Sequence, residues 1–146
     1  MQARNRDAGR YDDAMPERAE ATIARPPSRC YEAFCDARFL AAWVPGLRRA
    51  TVVRHTPDGH ALEVKFDHGE ARSYSLVYAY DPSSRTVTWT PGVGVREAVS
   101  GSARFDDDGA GGCRMTYELA SGPQRGEGPS AADVLSSFAR WAGALR

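Results

Sequence analysis

The sequence predicts an α+β protein in which one curved antiparallel sheet wraps around a single long helix at the C-terminal end. Two patterns predict this class. Residues 130–146 place their apolar side chains at helical spacing, on one stripe of an amphipathic helix. Between residues 18 and 121, most of the chain instead alternates apolar and polar side chains, and turn-forming residues separate the segments. Short connections between successive strands favour antiparallel neighbours.

The composition limits the classes of partner. The 146 residues carry 19 basic and 19 acidic side chains, so the formal net charge is zero and we expect no binding to nucleic acid. No apolar run approaches the roughly 20 residues that span a bilayer. The first residues also lack an apolar signal core. We therefore expect a cytoplasmic protein without stable membrane insertion, either a monomer or a homodimer.

The three cysteines lack the spacing of metal ligands and their number is odd, which is typical of a reduced intracellular protein. Cys30 and Cys35 fall in a predicted short helix, and Cys113 falls in a predicted strand. Lone cysteines at apolar positions usually fill the core, so we expect these three to do so rather than to act as nucleophiles.

The N-terminal residues 1–17 are polar and without periodicity, which predicts a flexible tail ahead of a single domain over residues 18–146. Ala19, Ala21 and Ile23 then alternate with polar residues and predict a strand with one buried face.

Two short helices are predicted directly after this strand. The first covers residues 28–35 and buries Cys30, Tyr31 and Phe34, and Asp36 is expected to cap the second. The second helix carries Phe39, Leu40 and Trp43 before Pro45 and Gly46 stop it. A plain barrel or sandwich would not need these helices.

Six further strands are predicted before the terminal helix, with proline, aspartate or glycine at most of the reversals between them. They cover residues 47–56, 60–68, 72–80, 85–90, 95–105 and 113–120. The terminal helix follows Pro129, and Ser130 is expected to be its N-cap because Asp133 lies three residues further on.

Two groups of residues resemble a known family. The first is Ile-Ala-Arg-Pro-Pro at residues 23–27, followed by Tyr31, Phe34, Asp36 and the run Trp-Val-Pro-Gly-Leu at residues 43–47. The second is residues 101–105, Gly112 and Met-Thr-Tyr at residues 115–117. Together they resemble the START-like (SRPBCC) superfamily, in its polyketide cyclase/dehydrase and coenzyme-Q-binding branch.

The resemblance covers residues 18–146 and implies the helix-grip fold. In that fold a seven-stranded antiparallel sheet surrounds a long C-terminal helix, and a ligand cavity lies between them. The terminal helix here is short for the family, which would leave one end of the cavity more open. A fold shared by many functions names no substrate.

Strand alternation sorts the side chains by face, and the apolar faces are expected to turn towards the terminal helix. An aromatic lining with hydroxyl tips is typical of small-molecule sites, although the same rings could simply pack together. The predicted ligand-binding residues are Trp43, Phe66, Tyr74, Leu76, Tyr78, Trp89, Phe105, Met115, Tyr117, Val134, Phe138 and Trp141.

Two titratable residues have inward parity and are candidate catalytic groups. Glu97 stands between Val95 and Val99, where a buried carboxylate must be paired, protonated or in a wet cavity. It could bind a polar group of the ligand or accept a proton, unless a bulge near Gly94 turns it to solvent. His68 ends a strand, where an exposed turn histidine is the more common outcome. His55 and His60 flank a turn and are expected to face solvent.

Standard catalytic templates are missing from the sequence. We find no serine elbow, no histidine pair at zinc spacing and no phosphate-binding glycine loop, so we expect no metal and no cofactor.

Three functions remain open. The leading one is binding of a small hydrophobic ligand such as a lipid, a quinone or a polyketide-like molecule. The second is a polyketide aromatase or cyclase, in which Glu97, His68, Tyr74 or Tyr78 moves protons on a folded poly-β-keto chain. The third is a protein-interaction module, which would have a filled core and an exposed apolar patch.

Overall fold

A computed structural model gives the fold and describes residues 17–69, 72–92, 99–120 and 129–145. The elements follow one another as β1 (Glu17–Ile23), α1 (Pro27–Cys35), a 3₁₀ turn (Ala37–Phe39), α2 (Leu40–Trp43), β2 (Arg49–His55), β3 (Ala61–Asp67), β4 (Ser73–Asp81), β5 (Thr86–Pro91), β6 (Gly101–Asp107), β7 (Cys113–Leu119) and α3 (Ala131–Gly143). The predicted class, an antiparallel sheet with two short helices after its first strand and a long C-terminal helix, is confirmed.

The seven strands form one antiparallel sheet in the order β1-β7-β6-β5-β4-β3-β2. Strands β2 to β7 are joined consecutively, and β1 pairs with β7, with Glu17 opposite Leu119 and Ile23 opposite Cys113. Although β1 and β2 are consecutive strands in the chain, they form opposite edges of the sheet. The segment that carries α1 and α2 therefore crosses from one edge to the other and covers the concave face between them.

The terminal helix α3 begins at the predicted cap. The backbone N–H of Asp133 donates to the Ser130 hydroxyl at 3.0 Å, and the N–H of Ser130 donates to the Asp133 carboxylate at 3.3 Å, which completes a capping box. The Glu17 carboxylate accepts from the N–H of Ala131 at 2.7 Å and ties this end of the helix to β1. The helix ends at Gly143, three residues earlier than the sequence predicts.

Several strand boundaries differ from the prediction by one or two residues, and β6 differs most. The expected strand over residues 95–105 begins at Gly101 in the structure, and residues 93–98 lie outside the described part of the chain. A Cβ atom at Gly101 would lie 2.5 Å from the Trp89 ring, so the glycine allows Trp89 to lie against the backbone of β6.

The core is closely packed over β5, β6 and β7. Concave-face residues of these strands, Val87, Trp89, Ala103, Phe105, Met115 and Tyr117, are between 0 and 6% exposed. Phe34 of α1 lies at their centre, with its ring 5.1 Å from Trp43, 5.3 Å from Phe138 and 5.5 Å from Phe105. Within the described residues, no helix combines the length and apolar character needed to cross a membrane.

Packing is looser over β2 and β4. On β4, Tyr74, Tyr78 and Tyr80 share the concave face and all three are half-buried, as are Ala50 and Val52 on β2. The molecule is therefore filled beneath α1 and α3 on one side of the sheet and incompletely filled on the other.

Candidate functional site

A cleft of about 510 Å³ opens between α1, the 3₁₀ turn and the β2–β3 hairpin. We call it the hairpin cleft. Its inner wall includes Tyr31 and Cys35 of α1, Ala50 and Val52 of β2, and Ala61 of β3. Its volume lies within the range of roughly 300–1,000 Å³ that is typical of small-molecule sites.

Charged and polar residues surround the mouth of the hairpin cleft. Arg38 pairs with the Asp36 carboxylate through two contacts of 2.9 and 2.6 Å at the 3₁₀ turn. From the opposite side, the exposed rings of His55 and His60 extend from the hairpin. The cleft thus combines an apolar interior with a polar rim.

Helix α1 contributes to two environments because its residues lie on adjacent faces. Cys30 and Phe34 are four residues apart and point into the closed core, where they are 1% and 6% exposed. Tyr31 and Cys35, also four apart, line the hairpin cleft. Burial raises the pKa of Tyr31 and that of Cys35 each to about 12. Both groups are therefore uncharged at neutral pH, and the Cys35 thiol is a weak nucleophile.

The three tyrosines of β4 form an aromatic row that begins at the hairpin cleft. The Tyr80 ring lies 5.0 Å from the His60 ring, and its hydroxyl donates to the Ala61 carbonyl oxygen at 2.5 Å. The Tyr78 ring is stacked on Tyr80 with centroids 6.1 Å apart. Burial raises the pKa of Tyr80 and raises that of Tyr78 well above its ordinary value.

His68 and Tyr74 form a hydrogen-bonded pair at the other end of this row. The Nε2 atom of His68 lies 3.0 Å from the Tyr74 hydroxyl, and the two rings are stacked with centroids 5.4 Å apart. Burial lowers the pKa of His68, while a hydrogen bond to the backbone of Gly46 opposes this shift. A neutral imidazole has one ring nitrogen without a proton, so Nε2 can accept the Tyr74 proton.

Burial also raises the pKa of Tyr74, against the opposing charge of Arg72. At neutral pH the pair is therefore a neutral phenol hydrogen-bonded to a neutral imidazole. This arrangement can hold a proton and can pass one on.

The residues predicted to bind a ligand fall into two groups. Nine of them are buried in the core: Trp43, Phe66, Leu76, Trp89, Phe105, Met115, Tyr117, Val134 and Phe138. The other three, Tyr74, Tyr78 and Trp141, are half-buried. On α3, Trp141 packs against Phe39 with ring centroids 5.2 Å apart. A role in ligand binding remains a prediction for all twelve.

Of the two candidate catalytic residues, the structure brings His68 against Tyr74, whereas Glu97 lies outside the described residues. In the described ranges, no group of three or more histidine, cysteine or acidic side chains is placed to hold a metal ion.

The wall that α1 provides was not predicted from the sequence. The predicted lining included Trp43 of the second short helix and residues of the terminal helix but neither Tyr31 nor Cys35, although the i, i+4 spacing of these two indicates a further face of α1. Cys35 is half-buried: it packs against the core as expected, and it also lines the hairpin cleft. His60 is exposed as expected, yet its ring stacks on Tyr80.

A seven-stranded antiparallel sheet around a C-terminal helix, with α1 and α2 bridging its edges, defines the helix-grip class of proteins. The chain belongs to the polyketide cyclase/dehydrase and lipid transport family, whose family model matches residues 18–144. The START-like resemblance of the sequence is therefore confirmed. No curated protein matches the sequence.

Solved structures share the fold at low sequence identity. A Deinococcus radiodurans protein is 22% identical, with a TM-score of 0.66 over 89% of this chain and 98% of its own. A START superfamily protein from Mycobacterium smegmatis is 12% identical, with a TM-score of 0.67 over 88% and 94%. An aromatase/cyclase from Streptomyces sp. R1128 is 16% identical, with a TM-score of 0.58 over 88% and 86%. At these identities the likeness shows the fold alone.

Proposed function

We propose that the protein binds a small hydrophobic ligand, such as a lipid, a quinone or a polyketide-like molecule, on the concave face of β2 to β4. One observation carries the proposal. The concave-face residues of β5 to β7 are between 0 and 6% exposed, whereas Tyr74, Tyr78 and Tyr80 of β4 keep accessible surface. Accessible surface on this face therefore remains at the tyrosine row, and the hairpin cleft lies at one end of that row.

The chemistry of the tyrosine row supports an apolar ligand. Burial is the largest cause of the raised pKa of Tyr74, Tyr78 and Tyr80, so their rings stand in a poorly hydrated environment despite their accessible surface. An apolar molecule that covers such accessible but poorly hydrated aromatic surface binds favourably.

The proposed position differs from the one expected from the sequence. The terminal helix α3 packs mainly on β1 and, to a lesser extent, on β7 and α2. The hairpin cleft lies beside α1, along its Tyr31 and Cys35 side, and not against α3, so a ligand there would contact α1 more than α3.

A pair of substitutions on β2 tests this proposal. Val52 is half-buried and lines the hairpin cleft, while its neighbour Val53 is 54% exposed. Val52→Trp is expected to fill the cleft and weaken binding of the uncharged fluorescent probe N-phenyl-1-naphthylamine at least tenfold. Val53→Trp adds the same side chain and is expected to bind the probe as the wild type does. Equal affinity of both variants would reject the proposed site.

The polyketide cyclase activity is the second candidate, and the His68–Tyr74 pair favours it. A neutral imidazole that accepts a proton from a buried phenol is suited to general acid–base catalysis. Incubation with a linear poly-β-keto thioester, followed by chromatography of the products, tests the activity directly. Cyclised product that is lost in both His68→Gln and Tyr74→Phe supports this candidate, and product formed equally by both variants removes the pair from it.

An interaction module is less well supported than either. Among the described residues, Val53 is the one exposed large apolar side chain, so this part of the surface offers no apolar patch for a partner.

A further inference from the structure

We propose that the Tyr78 hydroxyl is the polar anchor of the ligand site and selects apolar ligands that carry a hydrogen-bond acceptor, such as a ketone or quinone oxygen. This inference rests on the proposed function, because it assigns the ligand class of the same site. The Tyr78 hydroxyl would then make the site bind an oxygenated aromatic molecule more tightly than a pure hydrocarbon of the same shape.

The other two tyrosine hydroxyls of the row are already engaged. Tyr80 donates to the Ala61 carbonyl oxygen, and Tyr74 pairs with His68 Nε2. Within residues 17–69, 72–92, 99–120 and 129–145, the hydroxyl of Tyr78 has no hydrogen-bond partner. It is therefore the tyrosine of the row that remains able to bond a ligand.

The Tyr78 hydroxyl is also reachable. Among the described side chains, Trp43 Nε1 is the one buried nitrogen or oxygen atom that lacks both solvent access and a partner. The Tyr78 hydroxyl lacks a partner but is not sealed off in this way, and its side chain is half-buried. A hydroxyl without a partner in a poorly hydrated site gains free energy when an acceptor reaches it.

Protonation and position both suit a donor role. Burial keeps the Tyr78 phenol protonated throughout the physiological pH range, so it can donate to an acceptor. Its ring lies between Tyr80 and Trp89, with centroids 6.1 and 6.0 Å away. A flat aromatic ligand can pack against this group while its oxygen reaches the hydroxyl.

Two probes of nearly equal shape test the inference. 2-Acetylnaphthalene carries a carbonyl group, and 2-isopropenylnaphthalene has a CH₂ group in place of that oxygen. We measure both affinities by displacement of N-phenyl-1-naphthylamine. The wild type is expected to prefer the ketone about three- to tenfold, the effect of one neutral hydrogen bond. Tyr78→Phe should abolish the preference and leave the affinity for the hydrocarbon unchanged.

Thr88→Val is the control, because it also removes a single hydroxyl but from an exposed side chain on the opposite face of the neighbouring strand β5. It should keep the preference for the ketone. If Tyr78→Phe keeps the preference while both probes bind, the anchor is overturned and the proposed function stands. If the wild type binds neither naphthalene, the proposed function fails and the anchor fails with it.

A measurement on the wild type removes any dependence on the folding of the variant. The infrared carbonyl stretch of ¹³C-labelled 2-acetylnaphthalene should move to lower wavenumber on binding, relative to the same ketone in hexane, because a phenol donates to it. An unshifted stretch of the bound ketone would overturn the anchor.

Discussion

The Tyr80 hydroxyl donates a hydrogen bond of 2.5 Å to the carbonyl oxygen of Ala61, at a point where the two strands are no longer paired through their backbones. The ladder between β3 and β4 runs from Asp67 opposite Ser73 to Glu63 opposite Val77, so Ala61 and Tyr80 lie beyond its end. A side chain thus connects the strands where they diverge, and the hairpin cleft opens beside this connection.

Removal of this connection should cost stability. Tyr80→Phe leaves the ring in place and deprives the Ala61 carbonyl of its donor, so we expect the free energy of unfolding to fall by about 1 kcal/mol. Urea denaturation followed by circular dichroism measures the change. Tyr78→Phe is the control, because its hydroxyl has no partner among the described residues and its loss should not lower stability. Equal losses in the two variants would contradict the assigned role of Tyr80.

Gly101 should tolerate no side chain. A Cβ atom there would lie 2.5 Å from the Trp89 ring and 2.7 Å from the Glu118 carbonyl oxygen. We expect Gly101→Ala to destabilise the protein by about 1–3 kcal/mol, because the ring must move within a filled core.

The control for Gly101 is the last residue of α3. Nothing lies within 4 Å of a Cβ atom at Gly143, so Gly143→Ala should leave the midpoint of thermal unfolding unchanged or raise it. A Gly101→Ala protein as stable as the wild type would show that Trp89 is not held against β6.

Local sequence signals were sufficient for most of the fold. The capping box at Ser130 is encoded by two residues three positions apart, and positive φ angles at Gly59 and Gly69 fall at two of the predicted turns. Signals of this kind depend on neighbours in the chain, so alternation and turn residues predicted seven strands and antiparallel pairing of successive strands, but not the pairing of β1 with β7.

The candidate site was harder to predict, because its walls come from separate elements. Parity places Tyr78 on the concave face of β4 but does not say whether a helix covers it. Whether a helix covers Tyr78 depends on where α1 and α3 lie over the sheet. The positions of these helices depend in turn on the side-chain volumes of several strands. Phe105 and Tyr78 both have inward parity, yet Phe105 is completely buried and Tyr78 is only half-buried.

The pH dependence of stability should report on His68. Burial lowers its pKa in the folded protein below the value of 6.5 that applies when the chain is unfolded. The unfolded state therefore binds more protons as the pH falls, and this contribution to stability, complete above about pH 6.5, is lost as the pH falls through the lowered pKa.

Urea denaturation of the wild type and His68→Gln at several pH values measures this contribution. The free energy of unfolding of the wild type should fall more steeply between pH 7.5 and 5 than that of His68→Gln. Parallel curves for the two proteins would contradict a buried, hydrogen-bonded His68. In the cyclase assay, a rate that rises with pH through the same range would connect the group to the reaction.

Cys35 should react slowly in spite of its place in the hairpin cleft. Burial raises its pKa to about 12, so almost none of the thiol is ionised at pH 7.5, and the thiolate is the form that is alkylated. We expect iodoacetamide to modify the peptide that contains Cys35 much more slowly in the folded protein than in urea, as mass spectrometry can follow. N-phenyl-1-naphthylamine bound in the cleft should slow the reaction further, whereas in Val52→Trp the probe should give no such protection. Rapid alkylation in the folded wild type would show that the thiol is ionised and hydrated, which an apolar ligand site does not allow.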